Sequence, residues 1–391
     1  MRRFRVMAAI VAIASTGLLA TPAVAQQPQS AANRCASFNG PLCSVSLPTG
    51  ITMRYLDVGP ADGPVTLLLH GFADDVQSWS LVVPQLQRLM PWARFLIPDL
   101  LGQGETTQPP AARCAPNPDN CFRPIDDAND VVAFLDAEHV ARASILGHSV
   151  GTLVAQEIAL DHPNRVSRLI LVSTATNGAQ PLVEGVQSEV VQGEWQQDFT
   201  AAGYTWPTGV YGLNPGVAVP DFTQFIDDEY ETSSVAPPNL LTELQADAQT
   251  VQVGTWIGTV DDLVVADNTA RLQHLGVPTL VLYATQDDVF SPAAEQQLIG
   301  SLDVAASHGT PFWWKQYGVL PPTDSGEQTD LGHNLPWEAP AGIAADTAAF
   351  LVLGVPTCTL YRTDYPTDVH RVLAIPNAAT IVHAGVGPRC I

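Results

Sequence analysis

Apolar residues follow two rhythms along this chain. Short continuous apolar runs at Val65–Leu69, Phe95–Pro98, Ala143–Leu146, Leu169–Val172 and Thr279–Tyr283 read as strands buried on both faces. Ile51–Val58 alternates apolar and polar positions, as an edge strand does. Helical spacing occupies Val76–Leu89, Ile125–Leu135, Thr152–His162 and Pro292–Ser301. Strands alternating with helices predict an α/β fold: a mostly parallel sheet with helices on both faces.

The alternation stops after Thr174 and resumes at Leu275-Gly276-Val277-Pro278. Residues 177–262 are acidic and rich in aromatics, among them Trp195, Phe199, Trp206, Phe225 and Trp256. That stretch is too long for an ordinary loop and reads as an insertion. The expected organisation is a signal peptide at 1–25 and an N-terminal extension at 26–50. The first part of the core follows at 51–176, the insertion at 177–262, the second part of the core at 263–353 and a C-terminal extension at 354–391.

The start of the chain sets the expected compartment. Arg2, Arg3 and Arg5 precede an apolar stretch, Val6–Ala20, and Ala23-Val24-Ala25 forms a cleavage signature. The apolar stretch is short of the roughly 20 residues that span a bilayer, so cleavage after Ala25 and a secreted or periplasmic protein are expected. No other segment is apolar enough for a membrane span. The six cysteines form three local pairs, and short closures favour Cys35–Cys43, Cys114–Cys121 and Cys358–Cys390 as disulfides.

Of the 391 residues, 46% are hydrophobic and 14% charged, ample for a large core. The formal net charge is −22, and Lys315 is the single lysine. Phosphate contacts need clustered Lys and Arg, so nucleic acid is not an expected partner. No H-E-x-x-H, calcium loop, cysteine cluster, P-loop or dinucleotide fingerprint occurs, so neither a metal nor any other cofactor is predicted. Nothing in the pattern specifies an oligomeric state.

The chemistry concentrates at Gly147-His148-Ser149-Val150-Gly151, directly after the apolar run Ala143–Leu146 and before a helical pattern. A Gly-x-Ser-x-Gly at a strand-to-helix junction forms a sharp turn that lifts the serine above the sheet edge. The glycines relieve backbone crowding there. Ser149 is the candidate nucleophile, with a turn serine as the bland alternative. A serine hydroxyl needs a base within hydrogen-bond reach, and among the later histidines His333 is favoured. It lies between Gly332 and Asn334, just before Pro336-Trp337-Glu338, where proline suits a helix start. His308, His370 and His383 have no comparable setting.

These motifs come in a set. His70-Gly71-Phe72, Asp99-Leu100-Leu101-Gly102-Gln103-Gly104, Gly147–Gly151, the run Ala284–Pro292 and Leu331–Pro340 occur in order. Together they resemble the α/β-hydrolase fold, in particular its cap-bearing serine esterase and lactonase branch, over residues 51–174 and 264–353. The resemblance implies that residues 177–262 are a cap, or lid, and that Ser149, an acid and His333 act together in that order. Asp287 is favoured as the acid by counting from Ala284, and Asp288 by counting back from Pro292. It also implies an oxyanion hole of the Phe72 and Val150 N–H groups.

The expected activity is cleavage of fairly apolar esters or lactones, from small-molecule or polymeric substrates, through an acyl-enzyme. An aspartate nucleophile, as epoxide or haloalkane chemistry on this fold needs, is excluded at position 149. Peptidase, C–C hydrolase and cofactor-free perhydrolase chemistry remain alternatives, as does a ligand-binding protein that keeps the triad.

Overall fold

The computed structural model of the chain describes residues 35–115, 118–214, 224–226, 233, 235–318, 331–357, 361–363, 372–374 and 382–384. Its frame is a sheet of β1 (Cys43–Ser46), β2 (Thr52–Val58), β3 (Val65–Leu69), β4 (Arg94–Pro98), β5 (Ala143–His148), β6 (Val166–Val172), β7 (Thr279–Ala284), β8 (Phe312–Tyr317) and β11 (Val382–Ala384). The spatial order is β1-β2-β4-β3-β5-β6-β7-β8-β11. β4, β3, β5, β6, β7 and β8 run parallel, and β1, β2 and β11 pair antiparallel at the edges.

The continuous apolar runs are explained by the two faces of this sheet. Successive strand residues point to opposite sides. Leu67, Leu69, Ile145, Leu169, Leu171 and Val281 enter one core, and Leu68, Leu146, Ile170, Val172, Leu280 and Leu282 enter the other. The first core is closed by helices Pro124–Ala137, Val150–Asp161 and Pro292–Ser307 through residues such as Phe134, Ile158 and Leu302. The second is closed by helices Val83–Leu89 and Pro340–Leu353 through Leu86, Ile343 and Phe350.

Several elements differ from the pattern reading. Val76–Leu89 divides into a 3-10 turn, Val76–Trp79, and the helix Val83–Leu89. Pro84 lacks an N–H and suits a helix start, while Asp75 caps the first turn by accepting from the Gln77 N–H at 2.7 Å. β2 is not the edge. β1 covers it, with Cys43 opposite Tyr55 and Ser46 opposite Thr52. The disulfide Cys35–Cys43 ties this lead-in together, and Cys114–Cys121 closes a second loop. Cys358 and Cys390 lie outside the described residues, as does the segment 1–34 that carries the expected signal. The C-terminal extension contributes β11 beside β8 and an antiparallel pair of β9 (Tyr361–Thr363) and β10 (Val372–Ala374).

Among the described residues of 177–262 there are helices and no strand: Pro181–Gly185, a π-helical Val186–Trp195, Gln196–Ala201, Pro238–Ala248 and Val253–Leu263. The stretch leaves and rejoins the core at neighbouring points, since Asn177 forms a β-bridge with Asp267. Its aromatics fill a small core of their own. Trp195, Phe199 and Trp256 cluster with Val191, Val210 and Ile257, and the Trp195 and Trp256 rings meet edge to face at 5.7 Å.

β8 was hidden in the sequence by Lys315, a charge within an aromatic strand. The structure buries it completely and pairs it with Asp346 at 2.7 Å. The Lys315 ammonium also donates to the Thr357 carbonyl at 3.0 Å and the Thr357 hydroxyl at 3.1 Å, while Asp346 accepts from Tyr317 and the Thr357 N–H. Breaking a buried pair leaves an uncompensated charge. Asp346→Ala is therefore expected to cost about 3–5 kcal/mol, read as a lowered urea midpoint against wild type.

Candidate active site

The site begins where β5 meets the helix Val150–Asp161. Ser149 sits between them at φ 51°, ψ −125°, a conformation that an L-residue adopts only under surrounding constraint. The constraint is backbone crowding. A Cβ at Gly147 would lie 2.6 Å from the Gly151 carbonyl oxygen, and one at Gly151 would lie 2.4 Å from the His70 carbonyl oxygen. Ser149 is held further by its N–H, which donates to the Val172 carbonyl at 3.1 Å. Its own carbonyl accepts the Thr152 N–H at 2.8 Å and the Thr152 hydroxyl at 2.5 Å.

Two loops at the same sheet edge meet this serine. His333 lies between β8 and the short helix Leu335–Glu338, and its Nε2 is 2.8 Å from Ser149 Oγ. Asp287 follows β7, and its carboxylate oxygens are 2.9 and 3.0 Å from His333 Nδ1. Asp287 Oδ1 also accepts the Val289 and Phe290 N–H groups at 3.0 and 2.8 Å, so the carboxylate is anchored before it meets the imidazole. A carboxylate at Nδ1 favours the proton there, which leaves Nε2 to accept from the serine hydroxyl. The structure thus brings Ser149, Asp287 and His333 together. Asp288 is exposed and faces the cavity instead.

Electrostatics follow burial. Burial pulls the His333 imidazole toward its neutral form. The Asp287 charge and hydrogen bond, with the further charges of Asp288 and Glu338, outweigh this and raise its pKa above the ordinary histidine value. His148 is pushed down to about 3, by burial and then by the charge of His333, and its Nε2–H donates to the His333 carbonyl at 3.0 Å. His70 is pushed down to about 4 by burial. Its Nε2 accepts the Leu100 N–H at 2.8 Å and its Nδ1–H donates to the Gly71 carbonyl at 2.7 Å, so it braces the loop that leads to Phe72. His308 is exposed and stacks on His274, while His370 lies outside the described residues.

A cavity of about 990 Å³ opens over Ser149. Phe72 and Val150 line it beside the serine. Val150 is the first residue of its helix, where free N–H groups form the positive end of the helix dipole. The residues of 177–262 supply much of the apolar wall: Leu182, Val183, Val186, Val190, Phe225, Leu241, Trp256 and Val260. Among the described residues, no group of three or more His, Cys, Asp or Glu side chains is arranged to hold a metal, and no helix is long and apolar enough to cross a membrane.

The sequence reading missed two buried carboxyl groups. Glu338 accepts the Gly332 N–H at 2.7 Å and the Ser233 hydroxyl at 2.8 Å, and burial pushes its pKa up to about 7. Glu295 accepts the Thr174 N–H at 3.2 Å, and burial and the nearby Asp287 push its pKa well up. Both look like ordinary polar helix residues in one dimension. The closeness of Glu338 to His333 in the chain is the sole signal for either.

Known proteins match this architecture. A family model described as alpha/beta hydrolase fold matches residues 64–308, more than half of the chain. The chain belongs to that family. Epoxide hydrolase 3 of Siraitia grosvenorii is 29% identical over 165 residues, 39% of this chain and 49% of its own. The curated relatives are matched over 29–49% of their own lengths. Among solved structures, a hydrolase from Pseudomonas aeruginosa PA01 is similar with a TM-score of 0.57 at 21% identity, over 81% of this chain and all of that one. A thermophilic esterase from Thermogutta terrifontis gives 0.55 at 18% identity, over 79% of this chain and 97% of that one. At such identities the likeness is one of fold.

Proposed function

We propose that this protein is a serine hydrolase that cleaves carboxylic esters or lactones of fairly apolar substrates through an acyl-enzyme on Ser149. The observation that carries this reading is the continuous hydrogen-bonded line from Ser149 Oγ through His333 to Asp287, 2.8 Å on one side of the ring and 2.9 Å on the other. A serine at the elbow supports acyl transfer over chemistry that needs an aspartate nucleophile. The apolar wall of the cavity supports an uncharged substrate, with residues 177–262 acting as a cap over it. The disulfides Cys35–Cys43 and Cys114–Cys121 support export to an oxidising compartment.

In this mechanism His333 Nε2 takes the hydroxyl proton as Ser149 Oγ attacks the carbonyl carbon. The oxyanion is held by the N–H groups of Phe72 and Val150, and Asp287 stabilises the imidazolium. The tetrahedral intermediate collapses, and His333 gives its proton to the leaving alkoxide. Water, deprotonated by His333, then attacks the acyl-enzyme, and the carboxylic acid departs with Ser149 restored.

Ser149→Ala is expected to abolish turnover of p-nitrophenyl acetate with an unchanged circular dichroism spectrum; retained turnover would refute the reading. Asp287→Asn is expected to reduce kcat by about 10⁴-fold, as tautomer reversal does in other serine hydrolases, and Asp288→Asn by far less. Equal small losses would remove Asp287 from the mechanism. The base must be neutral, so kcat/KM should fall as pH drops through the His333 pKa. With that pKa raised, the acid limb is expected to have its midpoint above about 6.5. A midpoint below that value would contradict a raised His333 pKa.

A further inference from the structure

Glu338 stands between two parts of the molecule that are remote in sequence. Its Oε2 accepts the Gly332 N–H, one residue before His333, at 2.7 Å. Its Oε1 accepts the hydroxyl of Ser233, within the insertion, at 2.8 Å. Glu338 is 5% exposed, so neither bond is replaced cheaply by water. Ser233 is in turn tied to the start of the helix Pro238–Ala248, because its Oγ accepts the Ala236 N–H at 3.2 Å. An independent contact runs in parallel. Trp337, fully buried beside Glu338, packs against Ala236, Leu240 and Leu244 of the insertion.

We propose that Glu338 is a positioning residue that couples the seating of the insertion over the cavity to the placement of His333 against Ser149. When the insertion is seated, Ser233 fixes one carboxyl oxygen and the other fixes the loop that carries His333. When it lifts, Ser233 and the Trp337 contact leave together, and the His333 loop loses part of its support. The base is therefore best placed when the cavity is covered and drained of water. The charge of Glu338 also adds to those of Asp287 and Asp288 in favouring the protonated imidazole, against the burial of the ring.

The coupling rests on the serine-hydrolase reading for its catalytic consequence, but its structural core is testable without turnover. In Glu338→Gln, which keeps the shape and removes the charge, the His333 imidazole followed by nitrogen NMR should titrate lower than in wild type. Ser233→Ala removes the insertion's arm and leaves the Gly332 bond. It should lower kcat on p-nitrophenyl acetate, a substrate too small to need the insertion, by on the order of tenfold. The double variant should lose little more than Glu338→Gln alone, since both changes break one linkage. An unmoved His333 titration, an unchanged kcat in Ser233→Ala with only KM raised for long acyl chains, or additive losses would each overturn the coupling. Retained turnover in Ser149→Ala would instead overturn the serine reading and leave the NMR result to decide the clamp.

Discussion

The site depends on one crowded turn. Between Leu146 and Thr152 the backbone reverses so tightly that Gly147 and Gly151 meet main-chain atoms where a side chain would begin. This crowding holds Ser149 at positive φ and presents its hydroxyl at the end of a parallel strand. Such strain persists where the surroundings over-determine it. Here β5 lies between β3 and β6, with a packed core on each face of the sheet. The two cores keep the strand from relaxing, and the strand keeps the turn.

Around that turn, charge is controlled by burial and pairing. Asp287 receives two N–H groups and the His333 ring, so a buried carboxylate is tolerated beside the imidazole. Glu338, which accepts one N–H and one hydroxyl, is pushed to about 7 by burial. At the far side of β8 the same rule appears without chemistry. Lys315 is buried against Asp346 and Thr357 and pins the chain where the C-terminal extension begins. Both are arrangements in which losing one partner costs more than the pair contributes.

The elements that were legible in one dimension are those whose neighbours are local. The runs Val65–Leu69 and Thr279–Tyr283 lack charged positions because both faces are covered, and that absence is visible in the chain. β1 escaped notice because Cys43–Ser46 alternates between half-buried and exposed positions over four residues, too short for a pattern. β8 escaped because its lysine is neutralised by a residue 31 positions later. The choice between Asp287 and Asp288 was open for a similar reason. Adjacent residues of a turn point to opposite sides, and which side faces His333 depends on how the β7 loop packs.

Local steric and hydrophobic rules therefore determined, from the sequence alone, the alternation of strands and helices, the sharp turn at Ser149 and the long break in the alternation before β7. Tertiary structure decided which aspartate meets His333, that Ser233 and Gly332 share one carboxyl group, and how residues 177–262 line the cavity. The division has a physical origin. Covalent geometry and apolar periodicity act over a few residues, whereas hydrogen bonds between side chains more than a hundred positions apart exist only after the sheet has brought the loops to one edge.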